Sequence, residues 1–421
     1  MSHTLEQLNV SSNSTVFIHT GAAAPLHLIR EFCNRNQDRK NIRIYSLHTE
    51  GEAPWSDERY RSVYIPMPFF VGPNIRSAIQ HDHGSYVPAT LAVIPGMFRK
   101  NVIPLDLAII SVSPPDKHGF MSLGPSVDIS RAAVESASRV IAQVNKYMPR
   151  TFGDATIHKS EIDTFIDWSE PLPERSVDNT SQIDRKIALH TADLIQDGST
   201  IQIGIGHIPD AILDALKSHK NLGLHSEVIT DSVLPLLKRN VITNDTKAYG
   251  RKHNLCSFAI GSRTLYDYLD DNASFLFLES SKINHPETIA LNPKVVAINS
   301  AIEIDLTGQV CADSIGPLIY SGAGGQPDFI RGSSESQGGK PIIVMPSQTA
   351  DGKSKIVTSL HTGAGVVTTR TDVHWVVTEY GAVNLFGKSI YERAMLLTSI
   401  AHPLHRSVLW NTFESEFLLH H

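Results

Sequence analysis

Cysteine is scarce in this chain: Cys33, Cys256 and Cys311 are the only three in 421 residues. They are odd in number and far apart, which argues against a disulfide framework. No run of about 18 apolar residues occurs, so no segment reads as a membrane-spanning helix. An excess of basic charge is missing too. With 37 Lys and Arg against 43 Asp and Glu, the formal charge is −6 and gives no electrostatic footprint for nucleic acid. The opening MSHTLEQLNVSSNS is polar and lacks the basic-then-apolar order of a signal peptide, so a cytoplasmic protein is expected. Neither HExxH nor a paired-cysteine spacing appears, and no metal is expected. The tight cluster His81-Asp82-His83 places adjacent side chains in different directions on any regular element and reads as loop. What is present, 41% hydrophobic and 19% charged residues, suffices for a sizeable core spread over more than one domain.

The chain nearly repeats itself. Leu47-His48-Thr49-Glu50 matches Leu224-His225-Ser226-Glu227, 177 residues on. Thr15-Val16-Phe17-Ile18 followed by Gly21 and Pro25 matches Thr200-Ile201-Gln202-Ile203 followed by Gly206 and Pro209, 185 residues on. Ala108-Ile109-Ile110-Ser111 matches Ala297-Ile298-Asn299-Ser300 at 189. Three ordered matches at nearly one spacing signal a repeated architecture with a domain-sized unit. The reading is two related α/β halves, residues 1–185 and 186–421, with the site between them.

Within the first half, Val16–Ile18, Ile42–Leu47, Ser62–Ile65, Leu107–Val112 and Val140–Val144 read as strands, while Leu26–Cys33 and Arg131–Ser138 read as helices. Such alternation predicts mostly parallel sheets covered by helices. From Phe152 to Asp184 the chain turns polar and proline-bearing, the composition of a linker.

Chemistry concentrates in the second half. The strand Ile201–Ile203 enters a Gly204-Ile205-Gly206-His207-Ile208 turn, and Pro209 reads as near the first position of a helix. Free N–H groups there suit an anion or a developing oxyanion. Glu227 follows the next short strand and should stand beside that turn, at the carboxyl edge of the sheet. An acid about 20 residues beyond a glycine turn also fits a dinucleotide-binding fold, although Pro209 occupies the third glycine's place. A second loop, Gly322-Ala323-Gly324-Gly325, offers bare N–H donors and close backbone approach. A glutamate after a strand is more often solvated than catalytic, and glycine turns are common. It is the conjunction that points to a long phosphate-bearing ligand entering a covalent site.

These segments carry a resemblance. Together with Phe70–Arg76, Ser113–Gly119, Met148–Gly153, Asn299–Gly308, Thr362–Thr368 and Val377–Gly381, the chain resembles the acetyl-CoA hydrolase/transferase family, nearest to its 4-hydroxybutyrate and butyryl-CoA:acetate CoA-transferases. The resemblance implies two related CoA-transferase domains of the NagB/RpiA-like type with an interdomain cleft, and a homodimer. It puts the nucleophile on Glu227 and CoA contacts on Gly204, Ile205, Gly206, His207, Ile208, Ile302 and Gly325. Gly322 and Gly324 become further loop donors, and Glu50 and Glu303 are runner-up carboxylates. His207 stands where relatives often carry glycine, and Phe386 where many carry arginine.

The reaction so implied moves CoA from a short-chain acyl-CoA to a short-chain carboxylate such as 4-hydroxybutyrate or butyrate. It is ping-pong, with no cofactor beyond the substrate CoA. With an ordinary glutamate pKa of about 4.3, Glu227 would be ionised at neutral pH. Alternatives are an acyl-CoA hydrolase, an NAD-dependent oxidoreductase and a non-catalytic binding protein on the same fold.

Overall fold

The computed structural model describes residues 5–176 and 180–418. Strands β1 (Thr15–Ile18), β2 (Ile42–Ser46), β3 (Tyr64–Pro68), β4 (Leu107–Val112), β5 (Val140–Val144) and β6 (Thr164–Asp167) form one six-stranded sheet. Its order is β3-β2-β1-β4-β5-β6 and every pairing is parallel. The second sheet contains β7 (Thr200–Ile203), β8 (Gly223–Leu224), β9 (Val295–Ser300), β10 (Lys340–Val344), β11 (Trp375–Thr378) and β12 (Gly381–Asn384), in the order β8-β7-β9-β10-β11-β12. Only its last pair is antiparallel. The central strands are mostly apolar and buried, with all six residues of β4 buried. Sheets covered by helices on both faces demand that pattern.

The repeat seen in the sequence is structural. In each half the first strand, β1 or β7, is flanked by the strand leading into the Leu-His-x-Glu segment and by the strand carrying Ala-Ile-x-Ser. The helices that matter below are α1 (Leu26–Arg35), α2 (Pro73–Gln80), α3 (Ile94–Arg99), α4 (Gln182–Ala192), α5 (His207–Ala215) and α6 (Gln326–Glu335). Helix α5 begins at His207 and not at Pro209. Proline is tolerated at that third position because N–H groups of the first turn have no intrahelical acceptor.

The stretch from Phe152 to Asp184 is not all linker. Thr164–Asp167 is the outer strand of the first sheet, and Phe152–Gly153 pairs in parallel with Phe275–Phe277 of the second half. As an edge strand, β6 buries only Ile166, so its composition looks solvated. From Ser169 to Ser176 the chain is irregular but anchored: the Tyr266 hydroxyl donates to the Pro173 carbonyl at 2.9 Å, and Arg175 N–H to the Gly261 carbonyl at 3.0 Å.

Other contacts close the halves on each other. Ser126 bridges Phe258, Ala259 N–H donates to the Pro125 carbonyl, and Ser280 N–H to that of Asp128. Arg99, at the end of α3, grips Glu279 with Nη1 at 2.7 Å from Oε1 and Nη2 at 2.5 Å from Oε2. Glu279 is only 3% exposed, so its charge needs that fork. Replacing Arg99 by Met strands a buried carboxylate and is expected to cost about 2 kcal/mol. A lower melting temperature for Arg99→Met would register this; an unchanged one would contradict the clamp.

Candidate active site

In the second sheet the strand order reverses between β7 and β9, and a crevice opens there at the carboxyl ends of the strands, as open α/β sheets require. It is a cavity of about 360 Å³. The second half supplies Gly204 and Ile205 after β7, Glu227, Asn299 and Ser300 at the end of β9, and the loop from Tyr320 to Gln326. The first half supplies Leu47 and His48 after β2, Phe70 after β3, and Leu91.

Glu227 is held by its neighbours in sequence. The Ser226 hydroxyl donates to the Ile203 carbonyl at 3.0 Å and accepts from Ile203 N–H at 3.2 Å, locking this segment to the end of β7. The buried His225 places Nε2 2.8 Å from the Ile283 carbonyl, and burial drives its pKa down to about 3. The ring is therefore neutral, with Nε2–H donating and Nδ1 facing the Asn292 amide at 3.2 Å. The Glu227 carbonyl accepts from Ser257 and Phe258 N–H, both at 2.9 Å.

The carboxylate meets two donors. Asn284 Nδ2 lies 2.9 Å from Oε2, and the Gly325 N–H also points to the carboxylate. Gly325 is the N-cap of α6, so the positive end of that helix faces Glu227. No other residue fits there: a Cβ at Gly325 would lie 1.8 Å from Glu227 Oε2 and 2.2 Å from Asn284 Nδ2. Gly324 turns the loop with φ of +56°.

Burial still dominates. It pushes the Glu227 carboxyl up to about 7, against the pull of Asn284 and with the negative charge of Asp328 adding to the rise. Asp328, in the first turn of α6, is itself raised to about 6 by burial despite accepting from Ala92 N–H at 3.0 Å. The ordinary value expected from sequence is thus displaced, and near neutrality Glu227 is poised between its two states.

The other candidate residues divide. Gly204, Ile205, Gly322, Gly324 and Gly325 line the cavity with Glu227. Gly206, with φ of +124°, lines a small adjoining recess that shares Ile205 and Ile260 with it. His207, Ile208 and Ile302 are not among the lining residues. Glu50 is turned to His48, Oε1 to Nε2 at 2.8 Å, and it is His48 that faces the cavity. Glu303 accepts from His361, at the backbone N–H and the ring Nδ1, and does not line the cavity. Asn284, Asn299, His48 and Phe70 were missed as site residues: Asn284 carries no motif, and the other three stand in segments that marked the repeat or the resemblance without marking a role for the side chain.

Matches to known proteins bear directly on this cavity. Residues 5–174 match the acetyl-CoA hydrolase/transferase N-terminal domain, and residues 261–413 the C-terminal domain of the same family. A succinyl-CoA:acetate/propanoyl-CoA:succinate CoA transferase of Fasciola hepatica is 47% identical over 95% of this chain and 84% of its own. The chain belongs to the acetyl-CoA hydrolase/transferase family. A 4-hydroxybutyrate coenzyme A transferase of Clostridium kluyveri is 40% identical over 97% of this chain and 95% of its own. The crystal structure of RipA from Yersinia pestis superposes with a TM-score of 0.92 at 34% identity, covering 99% of this chain and 97% of that one. With relatives of this kind the protein is an enzyme that transfers CoA. Among the described residues, no helix is long and apolar enough to cross a membrane.

Three outcomes follow for this family member. Gly325→Ala must displace the Glu227 carboxylate and is expected to lower turnover about 100-fold with little change in melting temperature; near-normal turnover would refute the close approach. Burial leaves the Glu227 carboxylate fully ionised only above about pH 7, so a reaction that uses this carboxylate should show kcat/KM for the acyl-CoA rising with pH and levelling off above about 7. The stability effect has the opposite sign. A raised carboxyl pKa costs nothing below about pH 4.5, and the cost grows to completion above about 7. Glu227→Gln should therefore melt higher than the native protein at pH 8 and level with it at pH 4.5.

Proposed function

We propose that the enzyme transfers CoA from a short-chain acyl-CoA, acetyl-CoA being the first candidate, to a short-chain carboxylate through a glutamyl-CoA thioester on Glu227. The observation that carries this reading is the Glu227 carboxylate lying against the Gly325 N–H and the Asn284 amide at the floor of a cavity walled by both halves.

A Glu227 oxygen attacks the thioester carbonyl carbon, the C–S bond breaks, and CoA leaves as thiolate, so that the acyl group remains on Glu227 as a mixed anhydride. The thiolate then attacks the glutamyl carbonyl, releasing the first carboxylate and forming glutamyl-CoA. In that step an oxyanion develops on a Glu227 oxygen, where the Asn284 amide and Gly325 N–H already point. Donors aimed beforehand at developing charge are the largest common contribution to such catalysis. An incoming carboxylate reverses both steps and departs as its CoA ester. An anhydride is high in energy, so binding of the remote CoA handle must assist its formation, and water must be kept out.

The acyl end supports a small monocarboxylate. Phe70, Leu91, Val228 and Phe258 line the cavity, and no lysine or arginine does among the described residues. Butyrate and 4-hydroxybutyrate suit such a wall; a dicarboxylate would need Arg175, which lines the adjoining recess, for its second charge. The oxidoreductase reading loses its support, because Glu227 is committed to Asn284 and Gly325 and is not free to meet a ribose. A homodimer and a cytoplasmic location belong to the same proposal.

Initial rates with acetyl-CoA and butyrate should give parallel double-reciprocal lines, and Glu227→Gln should abolish transfer. Intersecting lines, or turnover retained by the variant, would overturn the covalent route. Release of CoA without any acceptor would instead make the enzyme a hydrolase.

A further inference from the structure

The cavity is acidic at its floor and has no lysine or arginine among the described residues of its wall, yet a CoA thioester brings several phosphate charges to a chain whose own formal charge is −6. An arginine stands at the rim. Tyr320 opens the glycine loop, lines the cavity and is 40% exposed. Over its ring lies the Arg76 guanidinium from α2, with the central carbon 3.8 Å from the ring centroid. Arg76 Nε donates to the Tyr320 carbonyl at 2.8 Å, and Gln80, one turn further along α2, donates to the Ile319 carbonyl at 3.1 Å. Two elements from different halves are thereby pinned together at the mouth. Only Nε of Arg76 is engaged: the side chain forms no ion pair with the described residues, and its two terminal nitrogens have no protein partner among them.

We infer that Arg76, stacked on Tyr320 at the rim, binds a phosphate of the acyl-CoA handle. This rests on the reading that the cavity takes acyl-CoA. A guanidinium presents its terminal N–H groups as a planar fork that matches phosphate oxygens, and stacking on an aromatic face fixes the plane before the ligand arrives. The placement also suits the length of the substrate. Tyr320 and Gly325 are five residues apart, so the rim is no more than about 18 Å along the chain from the N–H that touches Glu227. A pantetheine arm runs between two such points, with thioester at one end and phosphate at the other. Ile315 and Leu318, more than half exposed on the hairpin that ends at Tyr320, offer an apolar bed beside the fork for the adenine.

The test compares two donors, acetyl-CoA and S-acetyl-pantetheine, which shares the reactive end but has no nucleotide or phosphate. Arg76→Gln is expected to lower kcat/KM for acetyl-CoA roughly tenfold, the effect of one charge-assisted contact, and to leave S-acetyl-pantetheine unchanged. Arg76→Lys, which keeps the charge but not the fork, should recover part of the loss. Equal losses on both donors would show a merely structural clamp and overturn the assignment, as would no loss on either. Calorimetry with adenosine 3′,5′-bisphosphate separates this inference from the reaction it rests on. Binding that weakens about tenfold in Arg76→Gln, in a protein that turns over no thioester, would keep the phosphate site and discard the transferase reading. No binding to the native protein would discard the site.

Discussion

A carboxylate kept from water at the start of a helix is the constraint on which the rest of this structure depends. Left alone, Glu227 at the cavity floor would be protonated well above the ordinary range, because burial penalises its charge. Three features bring the ionised form back within reach of neutral pH: the Gly325 N–H, the Asn284 amide and the positive end of α6. Each has its own requirement. The N–H can reach only if position 325 has no side chain. Asn284 can reach only if the one-turn helix Ser280–Ile283 before it is held, which Arg99 does through Glu279 and Leu91 through the Ser280 hydroxyl. Helix α6 is seated by Asp328 on the Ala92 N–H of the other half. The chemistry in one half is therefore set by contacts with the other.

The internal repeat accounts for the architecture, and the differences between its two copies account for the site. Gly21 and Gly206 are counterparts, each ending the turn after a first strand with positive φ. At Gly21 the Ser126 hydroxyl fills the space, 2.4 Å from where a Cβ would be. At Gly204 and Gly206 nothing lies within 4 Å. One turn is plugged and the other is open to a ligand. The two histidines of the repeated tetrapeptide diverge in the same way. His225 is buried and serves the backbone, whereas His48 faces the cavity and holds Glu50 in a bond of its own. The first half serves as a wall of the second half's cavity.

How much of this could be read beforehand depended on whether the signal was local. β4 and β5 appear at the expected residues because buried parallel strands are short, predominantly apolar stretches. Glu227 was legible because the repeat placed it after a strand, beside a glycine turn, with a second glycine loop downstream. Its pKa was not, since that depends on burial and on Asp328, about a hundred residues away. Asn284 carries no local mark in Lys282-Ile283-Asn284-His285-Pro286, and only the docking of Ser280 on the first half brings it to the carboxylate. β6 was misread as linker because an edge strand with one buried residue has the composition of a loop. Edges, and contacts between distant segments, are where pattern alone gives out.

The central claim is that CoA becomes bonded to Glu227, and intact mass after mixing the protein with acetyl-CoA, followed by peptide mapping, tests it most directly. The account predicts a CoA-sized adduct on the peptide containing Glu227, discharged when a short-chain carboxylate is added. Acetyl-CoA consumed with transfer to the carboxylate, but with no adduct on Glu227 at any stage, would contradict it.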